Sequence, residues 1–149
     1  MAPIVESIEI ARRPEEVFPY VTDPSHLQEW QESVVSVRPL DDQASGERSR
    51  FVVTRRIGRR ELPMAVELTR DPPRSWTVRG LDGPVRGMVK GTVDPVGDGD
   101  RSRVSITLDF ENYGIGKLLF PLVVRPRVRA EMPKNLRRLK ELLESNAEG

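Results

Sequence analysis

The sequence contains few of the side chains that usually carry out chemistry. It has no cysteine and one histidine, His26, among 149 residues. Disulfides, thiolate-bound metals and a cysteine nucleophile are therefore excluded, and a Ser-His-Asp triad would have to use His26. That residue follows Asp23, Pro24 and Ser25 in a polar stretch typical of a helix start, so we expect it to face solvent. We predict no metal site and no cofactor.

Two polar residues remain as candidates for chemistry. Arg55 lies on a predicted strand, where its guanidinium can bind a carboxylate or an enolate through two parallel hydrogen bonds. The alternative is that Arg55 reaches solvent beside the turn at Gly58-Arg59. Tyr113 follows the last predicted strand, and its phenol can donate a hydrogen bond or act as a weak acid. The alternative for Tyr113 is an aromatic side chain packed at the junction with the next helix.

The charges are numerous but balanced. The chain has 24 Lys and Arg against 23 Asp and Glu, a net charge of +1. A nucleic-acid-binding protein is normally more basic, so we expect no nucleic-acid partner. No apolar run is long enough to cross a membrane, and the first six residues lack the basic and apolar regions of a signal peptide. The length predicts one domain over residues 1–149, cytoplasmic and without integral membrane association.

Strands must position the two candidate side chains, and the turns predict how these strands pair. If Gly58-Arg59 is a two-residue loop, Phe51 faces Val66 on one side of the hairpin. The same register places Arg50 opposite Glu67 on the other side. Because apolar residues then meet apolar residues and charges meet counter-charges, this hairpin is well specified.

Further turns extend the hairpin into an antiparallel meander. Asp82-Gly83 is typical of a tight two-residue turn and pairs Val78 with Gly87, and a third loop over residues 97–100 closes the last hairpin. Arg55 is the one charge that we place on the apolar face of this meander. The apolar face comprises Phe51, Val53, Leu62, Met64, Val66, Leu68, Trp76, Val78, Val85, Val89, Val93, Val104, Ile106, Leu108 and Phe110.

Helices flank the meander on both sides in sequence. A first strand over Ile4–Ile10 precedes a helix that starts at Pro14-Glu15-Glu16-Val17-Phe18 and a short helical piece over residues 24–30. Residues 132–143 carry an apolar stripe at helical spacing, and three prolines between 121 and 133 predict that this helix begins irregularly or is kinked. A one-sided sheet and an amphipathic helix bury their apolar faces against each other, which predicts an α+β domain with a curved sheet around a C-terminal helix.

The two ends of the chain also carry recognisable motifs. Residues 7–24 read SIEIARRPEEVFPYVTDP and are followed by Trp30, and residues 135–144 read NLRRLKELLE. These stretches resemble the opening and the last helix of the START-like (SRPBCC) superfamily, and its polyketide cyclase/dehydrase-like branch in particular. The resemblance implies a helix-grip fold of about seven strands with a deep cavity between sheet and helix. Members use the cavity for lipids, sterols, quinones, plant hormones or polyketides, and only some are catalytic.

The resemblance and the apolar face together predict a binding domain for a small hydrophobic or aromatic molecule, lipid-, quinone- or polyketide-like. One alternative is a cofactor-independent polyketide cyclase, aromatase or dehydratase, in which Arg55 or Tyr113 polarises a carbonyl or moves a proton. Another is an interaction module in which the basic segment Arg125–Arg129 binds a partner or a membrane rather than forming a solvated helix face. The superfamily has no universal catalytic motif, so the resemblance assigns no catalytic residue in this chain. We expect the ligand to contact Trp30, Phe51, Val53, Arg55, Met64, Val66, Trp76, Val78, Val89, Leu108, Phe110 and Tyr113.

Overall fold

The computed structural model describes residues 3–40 and 48–146, so residues 1–2, 41–47 and 147–149 lie outside it. The strands in these ranges are β1 (Ile4–Ile10), β2 (Val34–Pro39), β3 (Arg48–Ile57), β4 (Arg60–Asp71), β5 (Ser75–Gly80), β6 (Val85–Val96) and β7 (Arg101–Asn112). The helical segments are α1 (Pro14–Val21), a 3-10 turn (Pro24–His26), α2 (Leu27–Trp30), α3 (Gly116–Leu119), a π-helical turn (Phe120–Val124) and α4 (Arg125–Asn146).

The strands form one antiparallel sheet in the order β1-β7-β6-β5-β4-β3-β2. The chain therefore meanders from β2 to β7, and β1 joins the far edge beside β7. Helix α4 packs across one face of this sheet and buries the predicted stripe of Met132, Leu136, Leu139 and Leu143. The architecture is the expected helix-grip fold: α+β, with a curved sheet around the C-terminal helix.

The β3–β4 hairpin has the predicted register. Phe51 pairs with Val66 and Arg50 with Glu67, and the Arg50 Nε donates to Glu67 Oε2 at 2.9 Å. Gly58 adopts a φ of +66° in the turn, a conformation that glycine adopts without steric penalty. Apolar pairing on the inner face and ion pairing on the outer face thus select the same alignment.

The β5–β6 hairpin departs from the predicted register by two residues. Val78 pairs with Val89 rather than with Gly87, because the last pair between the two strands is Arg79 with Met88, which leaves residues 80–87 outside the pairing of β5 with β6. Since side chains alternate between faces with a period of two, a shift of two leaves every side chain on its expected face. The prediction was therefore wrong about which residues of β5 and β6 pair, and right about which face of the sheet each side chain occupies.

Pro84 explains why the predicted two-residue turn between β5 and β6 does not form. A two-residue turn at Asp82-Gly83 would require the residue at position 84 to donate its backbone N–H to Leu81, and proline has no such donor. Instead, the Leu81 N–H donates to the Ala65 carbonyl at 2.8 Å, and Asp82 Oδ1 accepts from the Ala65 N–H at 3.2 Å. The loop is thereby tied to β4 rather than closed on itself.

The C-terminal helical region begins irregularly, as the prolines predict. α3 has four residues, a π-helical turn of five residues follows, and only then does α4 run for 22 residues. Pro126 occupies the second position of α4, directly after the π-helical turn, and has no N–H to donate to that turn. Pro133 lies inside α4.

A close approach between Trp76 and Gly91 fixes the middle of the sheet. Trp76 is 4% exposed, and a Cβ built on Gly91 would lie only 2.1 Å from its ring. The Phe18 ring meets Trp76 edge-on at a centroid distance of 6.4 Å. Glycine at 91 therefore lets the indole lie on the β6 backbone, with α1 packed against its other side.

Candidate ligand pocket

The inner face of the sheet, which we define as the face that α4 covers, carries most of the predicted pocket residues. The observed pairing places ten of them there: Phe51, Val53, Arg55, Met64, Val66, Trp76, Val78, Val89, Leu108 and Phe110. The outer face is polar and carries ion pairs such as Arg103–Glu9 at 2.7 Å and Arg56–Glu61 at 3.1 Å. The two faces therefore differ in chemistry as the alternation predicts.

Along β4 to β7, burial on the inner face decreases toward the end of the sheet that carries the β3–β4 hairpin. Trp76 and Val93 are at most 4% exposed, whereas Leu62 next to the hairpin is 42% exposed. The apolar side chains between these extremes are only half-buried: Met64, Val66, Val78, Val89, Leu108 and Phe110. This less covered end of the inner face is the candidate pocket.

The position of α4 explains this gradient. Its buried residues begin at Met132, and none of residues 125–131 is buried. The C-terminal part of the helix thus seals the core, while its first two turns cover it less completely, with Val128 packed against the core but only half-buried. The irregular α3 and the π-helical turn place the start of α4 at the hairpin end, since Gly58 lies next to the Arg127 side chain.

Arg55 lies at the edge of this region in a polar network. Its Nη1 donates to Ser33 Oγ at 3.0 Å, and its Nη2 donates to Gln31 Oε1 at 2.8 Å. Burial lowers the pKa of Arg55, and the Glu131 carboxylate opposes that shift. Arg55 is therefore half-buried and held by neutral oxygens rather than released into solvent beside the turn.

Glu131 and Asn135 connect this network to α4. Glu131 Oε1 accepts from the Ser33 backbone N–H at 2.9 Å and from Asn135 Nδ2 at 3.1 Å. Asn135 Oδ1 accepts from the Glu32 backbone N–H at 3.1 Å. The loop between α2 and β2 is thereby fixed to the helix, which orients Gln31 and Ser33 toward Arg55. A guanidinium has five N–H donors, and two are used in these contacts within the described structure.

Tyr113 lies at the rim rather than among these residues. Its side chain is exposed, its hydroxyl donates to Glu111 Oε2 at 2.7 Å, and the Arg86 guanidinium lies 4.5 Å above its ring. The hydrogen bond to Glu111 raises the pKa of Tyr113. Its partners belong to β6 and β7, so the structure does not bring Tyr113 into the Arg55 network.

Trp30 lines a separate cleft. It is buried in α2, and a cleft of about 290 Å³ between α2 and α4 is bounded by Trp30, Gln31, Asn135 and Arg138, among others. The buried Trp30 Nε1 has no hydrogen-bond partner in the part of the chain that the structure describes. The indole thus faces the helix-side cleft as well as the core.

The inner face carries more polar groups than the sequence predicts. By register, Glu6 lies beside Ile106 and Arg70 beside Trp76, so the prediction that Arg55 is the one charge on this face was wrong. Arg70 Nη2 donates to the Thr22 carbonyl at 2.7 Å. Strict alternation along β1 and β4 would have identified both residues.

His26 lies outside the candidate pocket, as expected. Its ring stacks on Tyr20 at 4.2 Å, and its two nitrogens face Glu29 at 3.2 Å and Asp23 at 3.5 Å. Burial and a hydrogen bond to Glu29 raise the pKa of Tyr20. This cluster joins α1 to the 3-10 turn and α2.

Metal-ligand clusters and membrane-spanning helices are both missing from the described ranges. Within residues 3–40 and 48–146, no three or more His, Asp or Glu side chains are grouped so as to hold a metal ion. Over the same ranges, none of the helices combines the length and apolar character that crossing a membrane requires.

Comparisons with known proteins agree with the geometry. A family model described as polyketide cyclase/dehydrase and lipid transport matches residues 1–144. No curated protein sequence matches the chain.

Several solved structures share the fold at low sequence identity. A protein from Thermus thermophilus superposes with a TM-score of 0.80 at 20% identity, covering 97% of this chain and 98% of that one. The Zhui aromatase/cyclase from Streptomyces sp. R1128 gives 0.74 at 15% identity, covering 98% and 93%. A START superfamily protein from Mycobacterium smegmatis gives 0.70 at 16% identity, covering 99% and 98%.

Proposed function

The chain belongs to the polyketide cyclase/dehydrase and lipid transport family, and on that premise we propose that it binds a small hydrophobic or aromatic molecule between the inner face of its sheet and α4. The ligand class is lipid-, quinone- or polyketide-like. Binding needs no metal and no cofactor, because apolar contact supplies the affinity and a few polar groups supply the orientation.

The half-buried apolar side chains at the hairpin end of the inner face carry this proposal. A packed core normally buries such residues fully, as it does for Trp76 and Val93 toward the other end. Here Val66, Val78 and Val89 stay half-buried, and none of the helix residues 125–131 is buried. An apolar ligand would remove this surface from water, at about 25 cal/mol for each Å² covered.

Arg55 is the residue that we propose to orient the ligand. Its guanidinium is half-buried and is held by Ser33 and Gln31 at the edge of the apolar region. Donors in such a place bind a carboxylate or an enolate oxygen more strongly than donors in water do. Arg55 therefore favours ligands with an acidic or carbonyl group at one end.

Catalysis on a polyketide-like substrate is the second candidate function. The Zhui protein, whose fold this chain shares, is described as an aromatase/cyclase. In that case the pocket would hold a flexible chain in a reactive geometry, and Arg55 would stabilise negative charge on a carbonyl oxygen. Turnover that persists unchanged in both Arg55→Ala and Tyr113→Phe would remove the roles proposed for them.

A filling substitution tests the pocket directly. We expect Val78→Trp to fold and to weaken the binding of the neutral dye Nile red at least about tenfold, because the larger side chain occupies ligand space. Thr77→Trp, on the outer face of the same strand, is the matched control and leaves dye binding unchanged. If the native protein binds no dye and Val78→Trp strongly lowers the urea midpoint, the face is an ordinary packed core.

A pair of ligands of different charge tests the role of Arg55. Arg55→Met should weaken binding of a fluorescent fatty acid by about 10- to 100-fold, the loss expected for hydrogen bonds to a charged group, and leave Nile red binding unchanged. Equal loss of both ligands would mean that Arg55 only supports the α2–β2 loop. Native mass spectrometry of protein purified from its own host would identify a retained molecule.

A further inference from the structure

The segment between β7 and α4 exposes large apolar side chains. Ile115, Leu118 and Leu122 are 64%, 62% and 69% exposed, and they lie within eight residues, from the turn before α3 to the π-helical turn after it. We call these three residues the apolar turn. Single exposed apolar residues are ordinary, but a group within one short segment marks an interaction surface.

Cations surround the apolar turn. Residues 112–130 contain four basic residues and no acid, and the β3–β4 hairpin tip, residues 56–60, contains three basic residues and no acid. The two segments adjoin, because a Cβ on Gly58 would lie 3.6 Å from Arg127 Nη2. We call this set the basic collar: Arg56, Arg59, Arg60, Lys117, Arg125, Arg127 and Arg129.

The charge of the molecule is therefore strongly uneven. The net charge of +1 is the balance of +7 in the basic collar and −6 over the rest of the chain. Asp94, Asp98 and Asp100 lie at or near the β6–β7 turn, which the strand directions place at the opposite end of the sheet.

We propose that this end of the molecule docks on an anionic lipid bilayer. The apolar turn would enter the interfacial region while the basic collar contacts lipid phosphates, the arrangement by which amphipathic helices bind membrane surfaces. The proposal goes beyond ligand binding, but the two are spatially related: the half-buried end of the inner face opens at the same end. An apolar ligand would then pass between bilayer and pocket without crossing bulk water.

A bilayer fits these residues better than an acidic protein does. The exposed side chains are 62–69% exposed, more than residues that line a groove, and a fluid interface can cover such a surface. Leucine is also under-represented among the residues that dominate protein–protein binding. Acids at this end offset only part of the collar charge: Glu61 pairs with Arg56, Glu111 lies beside Arg86 on the neighbouring strand, and Asp82 lies in the β5–β6 loop.

Vesicle cosedimentation tests the proposal with the full chain. Vesicles of phosphatidylcholine mixed with phosphatidylglycerol should pellet the protein at low salt, and vesicles of phosphatidylcholine alone should not. Arg127→Glu with Arg129→Glu should lower partitioning by at least about 25-fold, a factor of about five for each cation lost. Leu118→Ser with Leu122→Ser should lower it by about tenfold.

Two control variants change the same types of side chain outside the proposed docking surface. Val5→Ser removes an exposed apolar residue of β1, and Arg74→Glu reverses a cation at the β4–β5 turn at the far end of the sheet. Both should partition like the parent, and all four variants should keep their Nile red affinity, which separates docking from pocket binding. The proposal is overturned by equal binding to neutral vesicles, by equal losses in variants and controls, or by retention on polyglutamate with no vesicle binding.

Discussion

Substituting Gly91 tests whether Trp76 forms a fixed wall of the inner face. In Gly91→Ala, the new Cβ would lie 2.1 to 2.4 Å from three atoms of the indole ring. Carbon atoms in contact are about 3.5–4.0 Å apart, so the ring or the strand must move by more than about 1 Å. Trp76 is 4% exposed and is bounded on another side by Phe18, which leaves it little room.

Gly87→Ala is the matched control on the same strand and face. A Cβ at this position would lie 3.6 Å from the Phe110 ring, an ordinary contact. Both substitutions restrict the unfolded chain equally, which stabilises by about 0.4–1 kcal/mol where the native backbone accepts alanine. The difference between the two variants therefore isolates the contact with Trp76.

We expect Gly91→Ala to lower the free energy of unfolding by about 1–3 kcal/mol, the usual cost of overpacking, and more if the indole is expelled. For a chain of this length that corresponds to a fall in Tm of about 2–12 °C, while Gly87→Ala stays within about 0.5 kcal/mol of the parent or above it. Urea unfolding followed by far-UV circular dichroism measures both. Equal stability of the two variants would refute the packing argument, and a smaller cost of Gly91→Ala in a Trp76→Phe background would support it.

Three further outcomes follow from named contacts. Asn135→Ala should lower the free energy of unfolding by about 1–3 kcal/mol by leaving the Glu32 N–H without its acceptor, whereas Lys134→Ala on the exposed side should change it little. Hydrogen bonds from Arg103 and Arg50 hold the pKa values of Glu9 and Glu67 below the usual range, so their stabilisation is present above about pH 4.5 and is lost as pH falls through the folded values. The urea midpoint should therefore drop as the pH is lowered below 4.5, and it should drop less steeply in Glu9→Gln. Burial raises the pKa of Tyr20, so in an alkaline titration its tyrosinate absorbance should appear at a higher pH than that of free tyrosine. Tyr20→Phe should leave only the absorbance change of Tyr113.

The strand pairing was predictable wherever two independent signals agreed. In the β3–β4 hairpin, apolar pairs such as Phe51–Val66 and ion pairs such as Arg50–Glu67 require one register. In the β5–β6 hairpin, the only signal for the register was the Asp82-Gly83 turn, and Pro84 lacks the N–H that this tight turn requires. A turn signal specifies where the chain reverses, and the available N–H donors decide how tightly it does so.

The polar part of the candidate site was only partly predictable. Arg55 was identified from strand alternation, but its partners Gln31 and Ser33 lie on a loop, where side-chain direction has no period. Glu6 and Arg70 were missed because only the apolar members of each strand were followed onto the inner face. The burial gradient depends on where α4 begins to pack, and the π-helical turn that sets this point has no distinctive sequence signal.

β1 pairs with β7, so the first strand of the sheet is synthesised long before the elements that it contacts. Ile4 pairs with Leu108, and the Ala11 N–H and the Arg12 guanidinium bond residues 133 and 131 positions away, near the end of α4. During synthesis, the first strand leaves the ribosome long before its partners exist, with Ile4, Ile8 and Ile10 exposed. High sequence separation of this kind slows folding and prolongs the time for which β1 is unpaired.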